Sequence, residues 1–286
     1  MGSAQDYIVY VDLYSDINIP NYLINFFKFL NLNGFRVDMF HPLERLTDEY
    51  LRNAKGIIVW NGSLPAFVPV LSQAKKLSQK LTFAECGFFP QHQFFYLDKK
   101  GVNNQSQLAS DALDWVGDKQ IQSLATKKAQ LASKVNNLKS GGYVFVPLQV
   151  PSDSNVLNHS NYTNGMQAFI DHVESIYTHD RIVIKPHPKD RLADTYTRSH
   201  AKLSLDDTST LIYGATKVHG INSSVLYEAV MAEVPVVVEG ECLLKKHLGQ
   251  ADKLLAAMLY RQFDINQTSF ATSKIEKFSN LDLQGH

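Results

Sequence analysis

The sequence predicts an α/β protein built on parallel β-sheets and divided into two halves. Two observations predict it. Short β-rich apolar runs alternate with longer segments whose apolar residues recur at helical spacing, and strand–helix–strand repeats of this kind call for crossover helices on a parallel sheet. The pattern then starts afresh after Ser140-Gly141-Gly142, a break in the middle of the chain.

The elements follow in order. Residues 7–13 read as a buried strand, and residues 21–33 as a helix carrying Leu23, Phe26, Phe27 and Leu30 on one face. Gly34 stops that helix, since a residue free to adopt positive φ ends helices readily. Residues 35–40 form the next strand, 47–53 a short helix, 56–60 a third strand and 81–85 a fourth. From 105 to 138 the chain turns polar and rich in Ala, Gln, Lys and Leu, which predicts a long helix. Beyond the glycine pair, 143–148 is a strand, 164–177 a helix, 181–185 a strand and 217–219 a short strand. A helix over 224–233 and a strand over 235–239 complete the second half. The expected division is 1–139 and 140–286, with the last twenty or so residues a tail packing on either half.

Composition narrows the function. The 286 residues are 44% hydrophobic and 20% charged, the balance of an ordinary globular chain with a sizeable core. Lys+Arg and Asp+Glu both number 28, so no global basic field exists to gather nucleic acid or an anionic membrane. Two cysteines, Cys86 and Cys242, make neither a disulfide framework nor a metal-ligand set. Apolar runs such as 234–238 are too short to span a bilayer, and no secretory signal is visible, so a soluble cytoplasmic protein is expected. No Walker-type or GxGxxG loop, no HExxH and no early DxD pair occurs, which weakens kinase, ATPase, dehydrogenase and metal-dependent readings. No cofactor and no metal is expected.

Four polar clusters fall where strands end, and in an open α/β sheet ligands bind beyond the carboxyl ends of strands. Glu85-Cys86-Gly87-Phe88 follows one strand, with Asp98 and Gly101-Val102-Asn103 beyond it. Glu85 there is either a general base or a loop carboxylate capping backbone. Gln149-Val150-Pro151-Ser152-Asp153 follows another strand. Asp153 can be a nucleophile, a base or a helix cap, and residue preference alone favours the cap. Lys185-Pro186-His187-Pro188 leads into Lys189 and Arg191, a stiff loop with one imidazole amid positive charge. It suits a phosphate or carboxylate, the alternative being a solvated basic loop. Asn222-Ser223-Ser224 opens a helix with Glu228 one turn further on. The serines offer hydroxyls and N–H groups to an anion and Glu228 can accept from ribose hydroxyls, the alternative being a plain serine cap. Together the third and fourth clusters describe a nucleotide site in the second half.

These motifs, in this order and with Trp60-Asn61-Gly62, resemble the retaining β-Kdo transferases of capsule-polysaccharide and lipopolysaccharide synthesis, over about residues 60–239. The resemblance implies a GT-B-like α/β fold, with two Rossmann-like parallel-sheet domains facing a cleft and the nucleotide held mainly by the second. It implies CMP-Kdo as donor and a bacterial surface glycan or glycolipid as acceptor. It further implies work at the inner face of the inner membrane, without a transmembrane segment or nucleic acid. Carried over by position, Asp153 matches the nucleophile of a double displacement and Glu85 the acid/base carboxylate. His187, Pro188, Ser223 and Ser224 match the phosphate site and Glu228 the ribose site, with Lys185, Gln149 and Asn222 in the same motifs. The His-Pro and Ser-Ser pairs are also similar to those of bacterial sialyltransferases that use CMP-sialic acid, which makes such a transferase the nearest rival. A catalytically silent GT-B subunit binding sugar nucleotide or glycan is a second rival, given 13 Tyr and 16 Phe for stacking. An epimerase acting on a UDP-sugar is a third.

Overall fold

The computed structural model describes residues 5–13, 22–133 and 141–283. By its internal contacts the chain divides into two compact units, Met1–Ala112 with Met258–His286, and Leu113–Ala257. This differs from the sequence-based division at 139/140. The chain enters the second unit earlier, at Leu113, and its last segment from Met258 belongs to the first, one of the two halves open to the expected tail.

The first unit begins with β1 (Tyr7–Val11), α1 (Ile24–Leu32), β2 (Arg36–Phe40), α2 (Asp48–Asn53), β3 (Gly56–Trp60), α3 (Val68–Lys76), β4 (Leu81–Cys86) and β5 (Phe94–Asp98). Period-two alternation in β1 sends Ile8 and Tyr10 to one face of the sheet and Val9 and Val11 to the other, each into its own core. The first core takes Phe26, Phe27 and Leu30 of α1, the second Leu51 of α2 and Val70 and Ala74 of α3. Helix α1 ends as expected: Gly34 sits at φ 86°, and Phe35 N–H returns to the Leu30 carbonyl. Thr47 caps α2 by accepting from the Tyr50 N–H at 3.1 Å.

The second unit holds α4 (Asp118–Ser133), β6 (Tyr143–Pro147), α5 (Ser154–His159), α6 (Met166–Ile176), β7 (Arg181–Lys185), β8 (Lys202–Leu203), α7 (Thr208–Gly214), β9 (Ala215–Gly220), α8 (Val225–Met231), β10 (Val236–Val238), α9 (Leu243–Lys246) and α10 (Ala251–Arg261). Met166, Phe169, Ile170 and Val173 of α6 pack on Val144, Val146, Ile182 and Ile184 of β6 and β7. The chain closes with β11 (Phe263–Asp264) and α11 (Thr272–Phe278) in the first unit, where Phe263, Phe270 and Ile275 join the core beside α1.

The long helix expected over 105–138 begins only at Asp118, and residues 134–140 lie outside the described residues. Its expected first part is 3₁₀ turns, interrupted by Leu113 at φ 61° and by Gly117. The second sheet, ordered β10-β9-β6-β7-β8, is parallel throughout. The first, ordered β11-β5-β4-β3-β1-β2, is mixed, with β5 antiparallel to β4 and to β11. The connection over residues 87–93 is too short for the crossover that a parallel neighbour needs.

Candidate active site

Each sheet presents a row of polar side chains at its carboxyl edge. In the second unit β6 lies between β7 and β9, so connections diverge to either side of it and leave a crevice at the β6/β9 boundary. Gln149 and Asn222 meet there. The buried Gln149 amide donates to Asn222 Oδ1 at 2.9 Å and accepts from the Asn222 N–H at 3.2 Å. Asn222 Nδ2 then donates to the Asn155 carbonyl at 2.8 Å. These two residues hold the loops after β6 and β9 in register, and their side chains are largely consumed in doing so.

Asp153 is the N-cap of α5. Its Oδ1 accepts from the Asn155 N–H at 2.8 Å, and Oδ2 has no partner among the described residues. The cap and the free oxygen coexist, so helix capping and outward chemistry are not alternatives here.

At the end of β7, His187 Nδ1 accepts from the Lys189 N–H at 3.1 Å, and its carbonyl accepts from the Asp190 N–H at 2.9 Å. A neutral imidazole used this way carries its proton on Nε2, which is left to donate outward. Lys185 Nζ donates to the Asp206 carbonyl, which uses one of the three N–H donors of its ammonium. Lys189, Arg191 and Pro188 are exposed.

After β9, Ser223 Oγ accepts from the Val225 N–H at 3.2 Å, while Ser224 makes no side-chain cap. Ser224 Oγ and the N–H groups of both serines find no partner among the described residues. Glu228, in the first turn of α8, likewise has no protein donor among them. Its carboxyl is raised above the ordinary range by burial first and by the Asp207 carboxylate second. A half-buried carboxylate without a donor is a group awaiting one.

Sequence reading missed a neighbouring cluster. Buried His219 of β9 lies 3.1 Å from the Tyr177 hydroxyl and 2.8 Å from Glu239 Oε1, which also sits 3.4 Å from His172 Nε2. Burial lowers the His219 imidazole, against the opposing pull of Glu239. The four residues come from α6 and its C-cap, from β9 and from the end of β10, so only the fold unites them. A separate cavity of about 390 Å³, lined by Leu124, Lys128, Tyr213 and Met231 among others, holds none of the expected site residues.

In the first unit Glu85 ends β4, beside the end of β3. Asn61 Nδ2 donates to Glu85 Oε2, and the Cys86 N–H donates to Oε1 at 2.9 Å. Asn61 can do this because it adopts φ 59° and Gly62 φ 77°, a left-handed pair that turns the chain back. A Cβ on Gly62 would stand 2.9 Å from the Phe83 ring, so only glycine fits. Burial chiefly raises the Glu85 carboxyl, with Asp12 adding to the rise, while the Cys86 and Asn61 hydrogen bonds oppose it. The motif Gly101-Val102-Asn103 serves a different carboxylate. Asp98, fully buried, accepts from the Lys100, Gly101 and Gln107 N–H groups and pairs with Arg261 at 2.5 Å.

Both comparisons of sequence and of fold point one way. The likeness to solved structures is one of fold, a GT-B-like α/β fold with two sheets. A Thermosulfurimonas dismutans structure named KpsC, beta Kdo 2,7 transferase, superposes with TM-score 0.63 at 18% identity, covering 89% of this chain and 90% of that one. A second from the same organism, named KpsC, beta Kdo 2,4 transferase, gives TM-score 0.60 at 12% identity over 82% and 80%. Residues 115–247 match the family described as capsule polysaccharide biosynthesis protein, a segment that contains Asp153, His187 and Ser223 to Glu228. Protein FixF of Sinorhizobium fredii (strain NBRC 101917 / NGR234) is 31% identical over 203 residues, 65% of this chain. The chain spans about half of that relative's length, 48%. The likeness in sequence is thus to a capsule-polysaccharide family, and the likeness to the two KpsC structures is one of fold.

Proposed function

We infer that this chain is a retaining glycosyltransferase that moves Kdo from CMP-Kdo to a hydroxyl of a bacterial surface glycan, in capsule or lipopolysaccharide synthesis. The observation that carries the reading is the edge of the second sheet. There a directed imidazole N–H, two unpartnered serine N–H groups and a donorless carboxylate lie at the ends of β7 and β9 and on the first turn of α8. A nucleoside monophosphate ester presents the matching groups, an anionic phosphate and a ribose diol. The names of the two structures of like fold favour Kdo as the transferred sugar, and CMP as its carrier rests on the resemblance of the His187-Pro188 and Ser223-Ser224 motifs.

The chemistry follows from the groups present. Asp153 Oδ2 attacks the anomeric carbon of Kdo and the bond to the CMP phosphate breaks. The leaving charge is met by His187 Nε2–H and the serine N–H groups. Glu228 holds the ribose. Glu85 then takes the proton of the acceptor hydroxyl, whose oxygen displaces Asp153 and restores the original configuration. A carboxyl raised by burial suits a base working near neutral pH. Kdo brings its own carboxylate beside the reacting carbon, and Lys185, Lys189 and Arg191 are the cations available to offset it.

Calorimetric titration with CMP, UDP and CMP-sialic acid, followed by CMP release from CMP-Kdo, tests the reading. CMP binding and CMP-Kdo turnover are expected. Turnover of CMP-sialic acid alone would make the chain a sialyltransferase, and tight UDP binding without CMP binding would overturn the donor assignment.

A further inference from the structure

The connection from β7 to β8, residues 186–201, carries His187 near its start and is exposed along most of its length. Between Pro188 and His200 only Asp190 and Tyr196 are buried, at 8% and 9% exposure. An aspartate seldom leaves water without partners, and Asp190 has two. Its Oδ1 accepts from the Leu192 N–H at 2.9 Å, and its Oδ2 from the Tyr196 hydroxyl at 2.7 Å. The Tyr196 ring in turn packs into the core that α6 forms with β6 and β7. The backbone of Asp190 reaches the other way. Its N–H donates to the His187 carbonyl at 2.9 Å, closing a turn that also holds the Lys189 N–H on His187 Nδ1 at 3.1 Å. The far end of the connection is tied to α6 as well. Gln167 exchanges two hydrogen bonds with the backbone of Thr197, and Glu174 accepts from the N–H groups of Ser199, His200 and Ala201. One buried side chain thus joins the His187 turn to the core.

We propose that Asp190 is a positioning residue for His187: anchored by Tyr196, it fixes the 187–190 turn and so aims the imidazole Nε2–H at the phosphate of the donor. The inference rests on the reading of His187 as a phosphate ligand. The turn also starts from a fixed point, since β7 runs to Lys185, whose carbonyl accepts from the Leu148 N–H at 2.9 Å. With both ends held, the ring keeps one orientation and Nδ1 keeps its donor, so the proton stays on Nε2. Loss of the Tyr196 hydroxyl leaves Asp190 Oδ2 buried without that donor, and the side chain regains a hydrogen bond by moving out to water. The Asp190 N–H moves with it. The turn then opens, Nδ1 loses the Lys189 N–H, and both neutral tautomers become accessible. A hydrogen bond to phosphate loses most of its worth once its donor swings out of line.

The test uses the whole chain as wild type, Tyr196→Phe and Asp190→Ala, with Asp190→Asn as the conservative variant. Nitrogen NMR of the histidine rings reads the tautomer of His187, its signals assigned by their loss in His187→Ala. Wild type is expected to show the Nε2–H form alone, and Tyr196→Phe and Asp190→Ala a mixture. Asn keeps an acceptor for the Leu192 N–H and an amide that can donate to the Tyr196 oxygen, so Asp190→Asn is expected to restore the single form. Calorimetry with CMP and with cytidine reads the consequence. CMP affinity is expected to fall roughly tenfold in Tyr196→Phe, while cytidine, which has no phosphate, binds as before. In the His187→Ala background, Tyr196→Phe is expected to cost no further CMP affinity. Should Asp190→Ala not fold, Tyr196→Phe, which keeps the packed ring, carries the test alone. A single tautomer in folded Tyr196→Phe, or a mixture already in wild type, overturns the proposal. An equal loss of CMP and cytidine affinity overturns it too. A mixture in a variant whose CMP affinity is unchanged, or in a chain that binds no CMP, supports the positioning and overturns only the phosphate role of His187.

Discussion

Replacing Arg261 by Ala removes the partner of a carboxylate that has no access to water. The side chains of the Asp98–Arg261 pair are 0% and 3% exposed, and the contact is 2.5 Å. Breaking a buried pair by deleting one ion costs about 3–5 kcal/mol, because the other charge stays behind. Three features set the size here. Asp98 keeps backbone donors from Lys100, Gly101 and Gln107, which soften the loss toward the lower bound. The guanidinium also lies 4.5 Å from the Phe278 ring, a contact of ~1 kcal/mol that disappears with it. Arg261 Nε has no hydrogen-bond partner among the described residues, so its removal relieves one unsatisfied group. A net loss of about 3 kcal/mol corresponds to a fall in Tm of roughly 10 °C. Differential scanning calorimetry reads this directly. The double variant Asp98→Asn with Arg261→Met, with no charge left to bury and the stem over Phe278 retained, is expected to be more stable than Arg261→Ala. A fall under ~2 °C for Arg261→Ala, or a double variant that is no better, would refute the reasoning.

Glu228→Ala is expected to weaken CMP binding by roughly 10- to 100-fold, the worth of hydrogen bonds to a charged acceptor, with the fold intact by circular dichroism; unchanged affinity would remove Glu228 from the ribose site. Glu85→Gln is expected to raise Tm at neutral pH. A carboxyl raised in the folded state binds more protons folded than unfolded, so stability falls as pH climbs through that range. The Tm gap between variant and wild type should open as pH rises above the ordinary carboxylate range of ~4, and a constant gap would contradict the burial argument. Gly62→Ala places a methyl 2.9 Å from Phe83 at φ 77°, so a loss of at least ~1 kcal/mol is expected by urea titration, together with slowed transfer as Asn61 releases Glu85. Gln149→Ala strands the N–H and Oδ1 of Asn222, and should lower both stability, by about 2 kcal/mol, and CMP affinity; a change in neither would deny the clasp its role.

What could be read ahead of the structure was whatever local patterning decides. The apolar run of β1 and the helical spacing of Phe26, Phe27 and Leu30 predict their elements because each lies wholly within one stretch of chain. The placing of the polar clusters on the loops after β6, β7 and β9 was legible for the same reason, since each directly follows its strand. Pairings across sequence were not. Asp98 meets Arg261 163 residues later, and nothing near either one announces the other. His219 and Glu239 join His172 only once α6 folds over β9. The antiparallel β5 escaped notice because a strand's direction depends on the length of its connection more than on its own residues. Lys185 shows the same limit from another side: its motif predicts a cation, and only the fold brings its ammonium to the Asp206 carbonyl.

The central claim is that Asp153 carries the sugar between donor and acceptor. Intact-protein mass spectrometry after incubation with CMP-Kdo, without acceptor, tests it most directly. The account predicts a gain of one Kdo residue in the wild type, localised by peptide mapping to Asp153 and missing from Asp153→Ala. An adduct that persists in Asp153→Ala, or undiminished transfer to acceptor by that variant, would contradict it.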